Sequence, residues 1–109
     1  MAITYKVLGQ SNPAATTLTT LYTVPSATSA VLSTITVANL TAVAATFRIA
    51  VRPAAAAIVN SHYIAYEITV GANDTTTLTL GITLATTDVV SVYASTTTLT
   101  FNAFGSEIS

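Results

Sequence analysis

Charge is scarce in this chain. Of its 109 residues only Lys6, Arg48, Arg52, Glu67, Asp74, Asp88 and Glu107 are formally charged, 6% of the total, against roughly 25% in an ordinary soluble domain. So thin a coat of charge protects a small domain poorly against self-association, and much of the exterior is expected to meet other protein. A net charge of −1 gives no electrostatic reason to bind nucleic acid or an anionic lipid surface, both of which demand a basic patch; neither is an expected partner. Cysteine is missing altogether, which excludes a disulfide framework and leaves the redox compartment unread. Mean hydropathy is high at +0.68, yet threonine and serine interrupt every apolar run well before the roughly 18 residues of a spanning helix. The opening residues, Met1 to Lys6, have neither the basic nor the apolar region of a secretory signal. The expectation is an intracellular product, or one released by lysis.

Threonine and alanine stand where lysine and glutamate usually do, and the hydrophobic pattern has period two. Phe47, Ile49 and Val51 alternate with Thr46, Arg48, Ala50 and Arg52, the signature of a half-buried strand. Leu78, Leu80 and Ile82 repeat it against Thr77, Thr79 and Gly81. Val31, Ile35 and Val37 are expected inward, as are Val90 with Val92, and Leu99 with Phe101 and Ala103. Ile3, Tyr5 and Val7 alternate near the start, residues 18–24 read as a further strand, and Ile64, Tyr66, Ile68 and Val70 align on another. Breaks fall at Pro25, at Asn39-Leu40-Thr41, at residues 71–74 and at Thr86-Thr87-Asp88, all turn chemistry. Residues 53–60, with their alanine run behind Pro53, read as a longer loop with one turn of helix that is a candidate contact between subunits. Residues 16–38 and 75–95 echo each other faintly and read as two similar hairpins. The whole, residues 1–109, is expected to be one all-β domain: a single antiparallel β-sandwich of about eight short strands, jelly-roll-like or Ig-like.

Catalytic chemistry finds few residues to work with. His62 is the only histidine and reads as a polar tip at a strand start. No serine sits in a Gly-x-Ser-x-Gly elbow and no phosphate loop is present. One histidine without cysteine cannot cage zinc, and Asp74, Asp88 and Glu107 lack the spacing of a calcium loop. The reading is non-enzymatic, with no catalytic residues, no cofactor and no metal. Candidate interface residues are Arg48, Arg52, Glu67, Tyr63 and Asp74. The two arginines lie four positions apart on the solvent side of one strand, and Glu67, Asp74 or Glu107 of a neighbouring subunit are the expected partners, setting register more than affinity. Tyr63 and Tyr66 are expected on opposite faces of their strand, one core and one surface.

The runs Thr20-Leu21-Tyr22-Thr23-Val24-Pro25, Ile35-Thr36-Val37-Ala38-Asn39 and Ala45-Thr46-Phe47-Arg48-Ile49-Ala50-Val51, with Leu80-Gly81-Ile82, Asp88 to Ser95 and Gly105-Ser106-Glu107-Ile108, resemble small virion structural proteins of tailed bacteriophages. The resemblance implies a β-sandwich present in many copies on a phage particle assembled in the host cytoplasm. The function it implies first is capsid decoration or cement: a homo-oligomer, a trimer for preference, bridging major capsid subunits and stabilising the head. The alternative is a tail, collar or fibre component, including a host-recognition tip. A third reading, carbohydrate binding, needs exposed aromatics flanked by polar groups.

Overall fold

A computed structural model describes residues 2–109. Eight strands follow one another as β1 (Ile3–Ser11), β2 (Thr19–Thr23), β3 (Ser29–Asn39), β4 (Ala45–Arg52), β5 (Tyr63–Val70), β6 (Thr75–Leu84), β7 (Val89–Ala94) and β8 (Leu99–Ile108). They form two four-stranded sheets, ordered β1-β8-β3-β6 and β2-β7-β4-β5, with every strand pair antiparallel. Of the consecutive strands only β4 and β5 share a sheet; every other connection crosses from one sheet to the other. That is jelly-roll order, and it sets aside the Ig-like alternative, whose first two strands pair in one sheet.

The core follows the alternation. Phe47, Ile49, Val90 and Val92 from one sheet meet Leu32, Ile35, Val37, Leu99, Phe101 and Ala103 from the other, all fully buried. Phe47 and Phe101 meet edge to face across the two layers, 6.0 Å between centroids. Where the alternation shifts phase, a bulge is responsible. Ser33 is an extra residue in β3 against β8, and Leu8 is an extra residue in β1 against β8. At the same level β6 carries Leu80 and Gly81 opposite Ser33 alone, with Gly81 at φ +62°. These bulges lie along one line across the sheet. On β3 the inward set is therefore Ala30 and Leu32, then Ile35 and Val37; Val31, expected inward, faces out, and Leu80 is exposed. Gly105 sits on this line because a Cβ there would stand 2.0 Å from the Val31 carbonyl oxygen.

The faint internal echo is a different object from two hairpins. Its members, β2 with β3 and β6 with β7, each straddle the two sheets, while β2 bonds to β7 and β3 to β6. The two crossings run side by side, tied by Val24 N–H to the Asp88 carbonyl (3.0 Å) and Thr87 N–H to the Val24 carbonyl (3.1 Å). The loop expected over residues 53–60 runs on to residue 62 and holds two 3-10 turns where one was expected, Pro53–Ala55 and Asn60–His62. Asp88 is a turn residue: its carboxylate accepts from Ala85 N–H within its own turn and from Ala54 N–H of that loop, each at 2.9 Å. Asn39 closes the opposite end of the sandwich. It is buried, donates its amide to the carbonyls of Val43, Val70 and Gly71, and accepts from Thr41 N–H.

Candidate functional site

The two sheets present very different outer faces. On β5 two extra residues are inserted opposite β4: Ile64 between the pairs Ala50–Tyr63 and Ile49–Ala65, and one of Tyr66 and Glu67 opposite Arg48. Glu67 takes φ +52°, a conformation that non-glycine residues adopt at a cost. The insertions bring both tyrosines to the outer face, where the alternation had put them on opposite faces. Tyr63 and Tyr66 stand nearly perpendicular, 82° between planes and 5.1 Å between centroids. The row of Ile64, Tyr66, Ile68 and Val70 read from the sequence is broken for the same reason: Val70 is buried, while Tyr66 is paired with an arginine.

That arginine is Arg48. Its Cζ lies 4.4 Å from the Tyr66 ring centroid and 4.1 Å from that of Tyr93, so the guanidinium packs against two aromatic faces. Its Nε donates to Glu67 Oε1 at 3.0 Å and its Nη2 donates to the same oxygen, while Thr46 Oγ1 donates to Glu67 Oε2 at 2.9 Å. Glu67 is held below the usual carboxylate range, first by the hydrogen bond from Arg48 and then by that from Thr46; Arg48 is raised, chiefly by the same hydrogen bond. Arg48 thus finds its carboxylate on the neighbouring strand of its own chain, in place of the partner subunit expected from the sequence. Arg52 lies on the same face and donates to Ser91 Oγ (3.2 Å) and the Ala56 carbonyl (3.0 Å). These side chains lie along the face that holds Ala50 and Ser91, both fully buried although they point away from the core.

Of the residues singled out in the sequence, Arg48, Glu67 and Tyr63 come together, Arg52 lies beside them, and Asp74 does not join them. Asp74 sits in the turn at the other end of the sandwich, its Oδ1 accepting from Thr75 N–H at 2.8 Å. Glu107 is engaged elsewhere: it accepts from Tyr22 Oη (2.6 Å) and pairs with Lys6 Nζ (2.9 Å). Its pKa is lowered by those two donors, Tyr22 first. Burial, then the bond to Glu107, pushes the Tyr22 phenol well above its ordinary value. His62 precedes β5, and its Nδ1 accepts from Val59 N–H at 3.3 Å. Among the described residues no group of three or more His, Cys, Asp or Glu is placed to hold a metal ion, and no helix is long and apolar enough to cross a membrane.

The outer face of the other sheet is divided by the bulge line. On one side Gln10, Asn102, Thr36 and Thr77 lie in one row across four strands, and Gln10 Nε2 donates to Asn102 Oδ1 at 2.8 Å. On the other side Ile3, Tyr5, Val7 and Phe104 are exposed, Tyr5 to 82%. Tyr5, Val7, Val31 and Phe104 line an open depression of about 490 Å³. Sequence reasoning gave Ile3, Tyr5 and Val7 one face but missed that it is the outer one. The adjacent apolar pair Val7-Leu8, where the period of two breaks, is the one trace of the bulge in the sequence. The chain matches no known family model, no curated protein and no solved structure.

Proposed function

We propose that this chain is a non-enzymatic structural protein of a phage particle, acting as a capsid decoration or cement subunit that binds copies of itself and the shell beneath. The observation that carries the reading is the apolar half of the β1-β8-β3-β6 outer face. Ile3, Tyr5, Val7 and Phe104 lie in adjoining rows with Val31, with Ser106 between Tyr5 and Val31; Lys6 also borders the depression, and its ammonium pairs with Glu107. A contiguous exposed apolar patch of this kind marks an interaction surface. It lies on the free edge of β1, whose residues 3–7 pair in regular register with β8 alone. All four edge strands carry a bulge, β1 at Leu8 and β2, β5 and β6 along their own lengths, which blunts them there as templates for another chain. Ile3 to Val7 keep regular register ahead of the β1 bulge, as Thr75 to Thr79 do on β6, but of these two edge segments it is the β1 one that carries exposed large apolar side chains, Ile3, Tyr5 and Val7.

A subunit that binds only the assembled shell stabilises it by mass action, so many weak contacts across subunit joints resist internal pressure. The resemblance to small virion proteins of tailed phages points the same way. Two measurements test the reading. Light scattering coupled to size exclusion should give a defined oligomer, a trimer being favoured, that Tyr5→Lys returns to monomer. Particles lacking the protein should release DNA at a lower temperature than complete ones. Identical release temperatures would remove the cement role, and a count of a few copies per particle in place of hundreds would move the protein to the tail or a fibre.

A further inference from the structure

The Tyr63–Tyr66 corner has no part in the assembly surface, which lies on the opposite sheet. Here two perpendicular rings and Asn60 line an open depression of about 420 Å³. Tyr66 is 56% exposed, yet its ring is not free: it rests on the Arg48 guanidinium, which is fixed by Glu67 and by Tyr93 on its other side. Burial therefore does not explain why this ring is held in place. The corner exists because β5 carries two extra residues opposite β4, which turn both tyrosines to the outer face. A ring immobilised before its ligand arrives loses little entropy on binding.

The chemistry of the corner selects the ligand. Aromatic faces offer apolar area with a polar rim, and the Asn60 amide and the two phenol hydroxyls supply donors and acceptors around it. The apolar C–H face of a pyranose can lie on a tyrosine ring while its hydroxyls reach that rim. A nucleotide or phosphate would require a free cation at the rings, and the guanidinium that packs against Tyr66, Arg48, is already neutralised by Glu67; Arg52 on the same face bonds to Ser91 and the Ala56 carbonyl without a carboxylate, which is why inorganic phosphate belongs in the test. We propose that the Tyr63–Tyr66–Asn60 corner is a saccharide site that takes a neutral pyranose unit of a glycan. Its shallow, open form sets a weak monovalent affinity, which many copies on one particle would raise by avidity.

Aromatic NMR titrations with methyl glucopyranosides, methyl galactopyranoside, methyl mannopyranoside and N-acetylglucosamine test this, carried to roughly 50 mM, above an expected Kd of about 1 mM. At least one sugar should shift the Tyr63 and Tyr66 ring signals saturably and leave Tyr5 unmoved, although Tyr5 is the more exposed ring. Tyr66→Ala should weaken that binding by roughly tenfold or more, while Tyr66→Phe, which keeps the ring on Arg48, retains it. Asn60→Ala, on an exposed loop, serves the same end should Tyr66→Ala fail to fold. The proposal is overturned by the absence of a saturable shift with every sugar, by equal shifts at Tyr5, by unchanged binding in both alanine variants, or by an equal response to inorganic phosphate.

Discussion

The two outer faces of the sandwich handle the same shortage of charge in opposite ways. On the β2-β7-β4-β5 sheet the arginines lie flat over their own strands. Arg48 covers Tyr66 and Tyr93 and meets Glu67, and Arg52 bonds to Ser91 and Ala56. On the β1-β8-β3-β6 sheet the apolar end carries no such cover, and Lys6 turns away to Glu107. A face that satisfies itself gives a preorganised local feature; a face left bare needs other protein to cover it. Of the three Lys and Arg residues in the chain, Arg48 and Arg52 lie on the first face and Lys6 pairs with Glu107.

The largest effect is expected where the bare face depends on its bulge line. Gly105→Ala places a Cβ against the Val31 carbonyl, where the backbone must move, and the loss should be about 2–3 kcal/mol in chemical denaturation. A value near zero would mean that β3 and β8 adjust freely there. Next comes Arg48→Ala, which uncovers the other face. The loss of cation–π packing on two rings and of stem contacts should amount to about 1 kcal/mol, with Tyr66 and Tyr93 gaining mobility by NMR. If stability and ring order are unchanged, the claim that this face covers itself fails.

Stability against pH gives a subtler contrast between the same regions. Glu67 and Glu107 both have lowered native pKa values, so their contribution is complete above the ordinary carboxylate value of about 4.3. As pH falls below it the unfolded chain takes up protons first, and the contribution is lost as pH passes the native values. Tyr22 is raised, so its contribution is complete below about pH 10 and is lost at higher pH, where the unfolded chain releases the phenolic proton and the folded chain keeps it. Denaturation midpoints should form a plateau between these limbs. Glu67→Gln should soften only the acid limb, and Tyr22→Phe should soften both, because it also removes a donor to Glu107. The smallest effect on stability belongs to the most exposed ring: Tyr5→Ser should change it by less than about 0.5 kcal/mol while weakening self-association. A large stability loss without a change in oligomer would make Tyr5 a packing residue.

Much of the core was legible. Phe47 with Ile49, Val90 with Val92, and Leu99 with Phe101 and Ala103 follow from strict alternation, and all are fully buried. Val31, Leu80, Tyr63 and Tyr66 were misplaced for one common reason: each lies beside a bulge, and a single inserted residue reverses the face of everything beyond it. The Arg48–Glu67 pair was equally hidden, because residues 19 apart in sequence meet only once β4 and β5 are in register. Asn39 looked like ordinary turn chemistry; that it bonds to three carbonyls from two loops depends on where those loops end.

The sequence alone determined a two-layer all-β domain with a nearly neutral, threonine-rich exterior, because alternation and composition are local properties that survive any strand order. The jelly-roll order, the phase of each strand after its bulges, and the gathering of two tyrosines and an ion pair on one face were decided only in the tertiary structure. They depend on which distant strands pair and in what register, and a period of two carries no record of its partner.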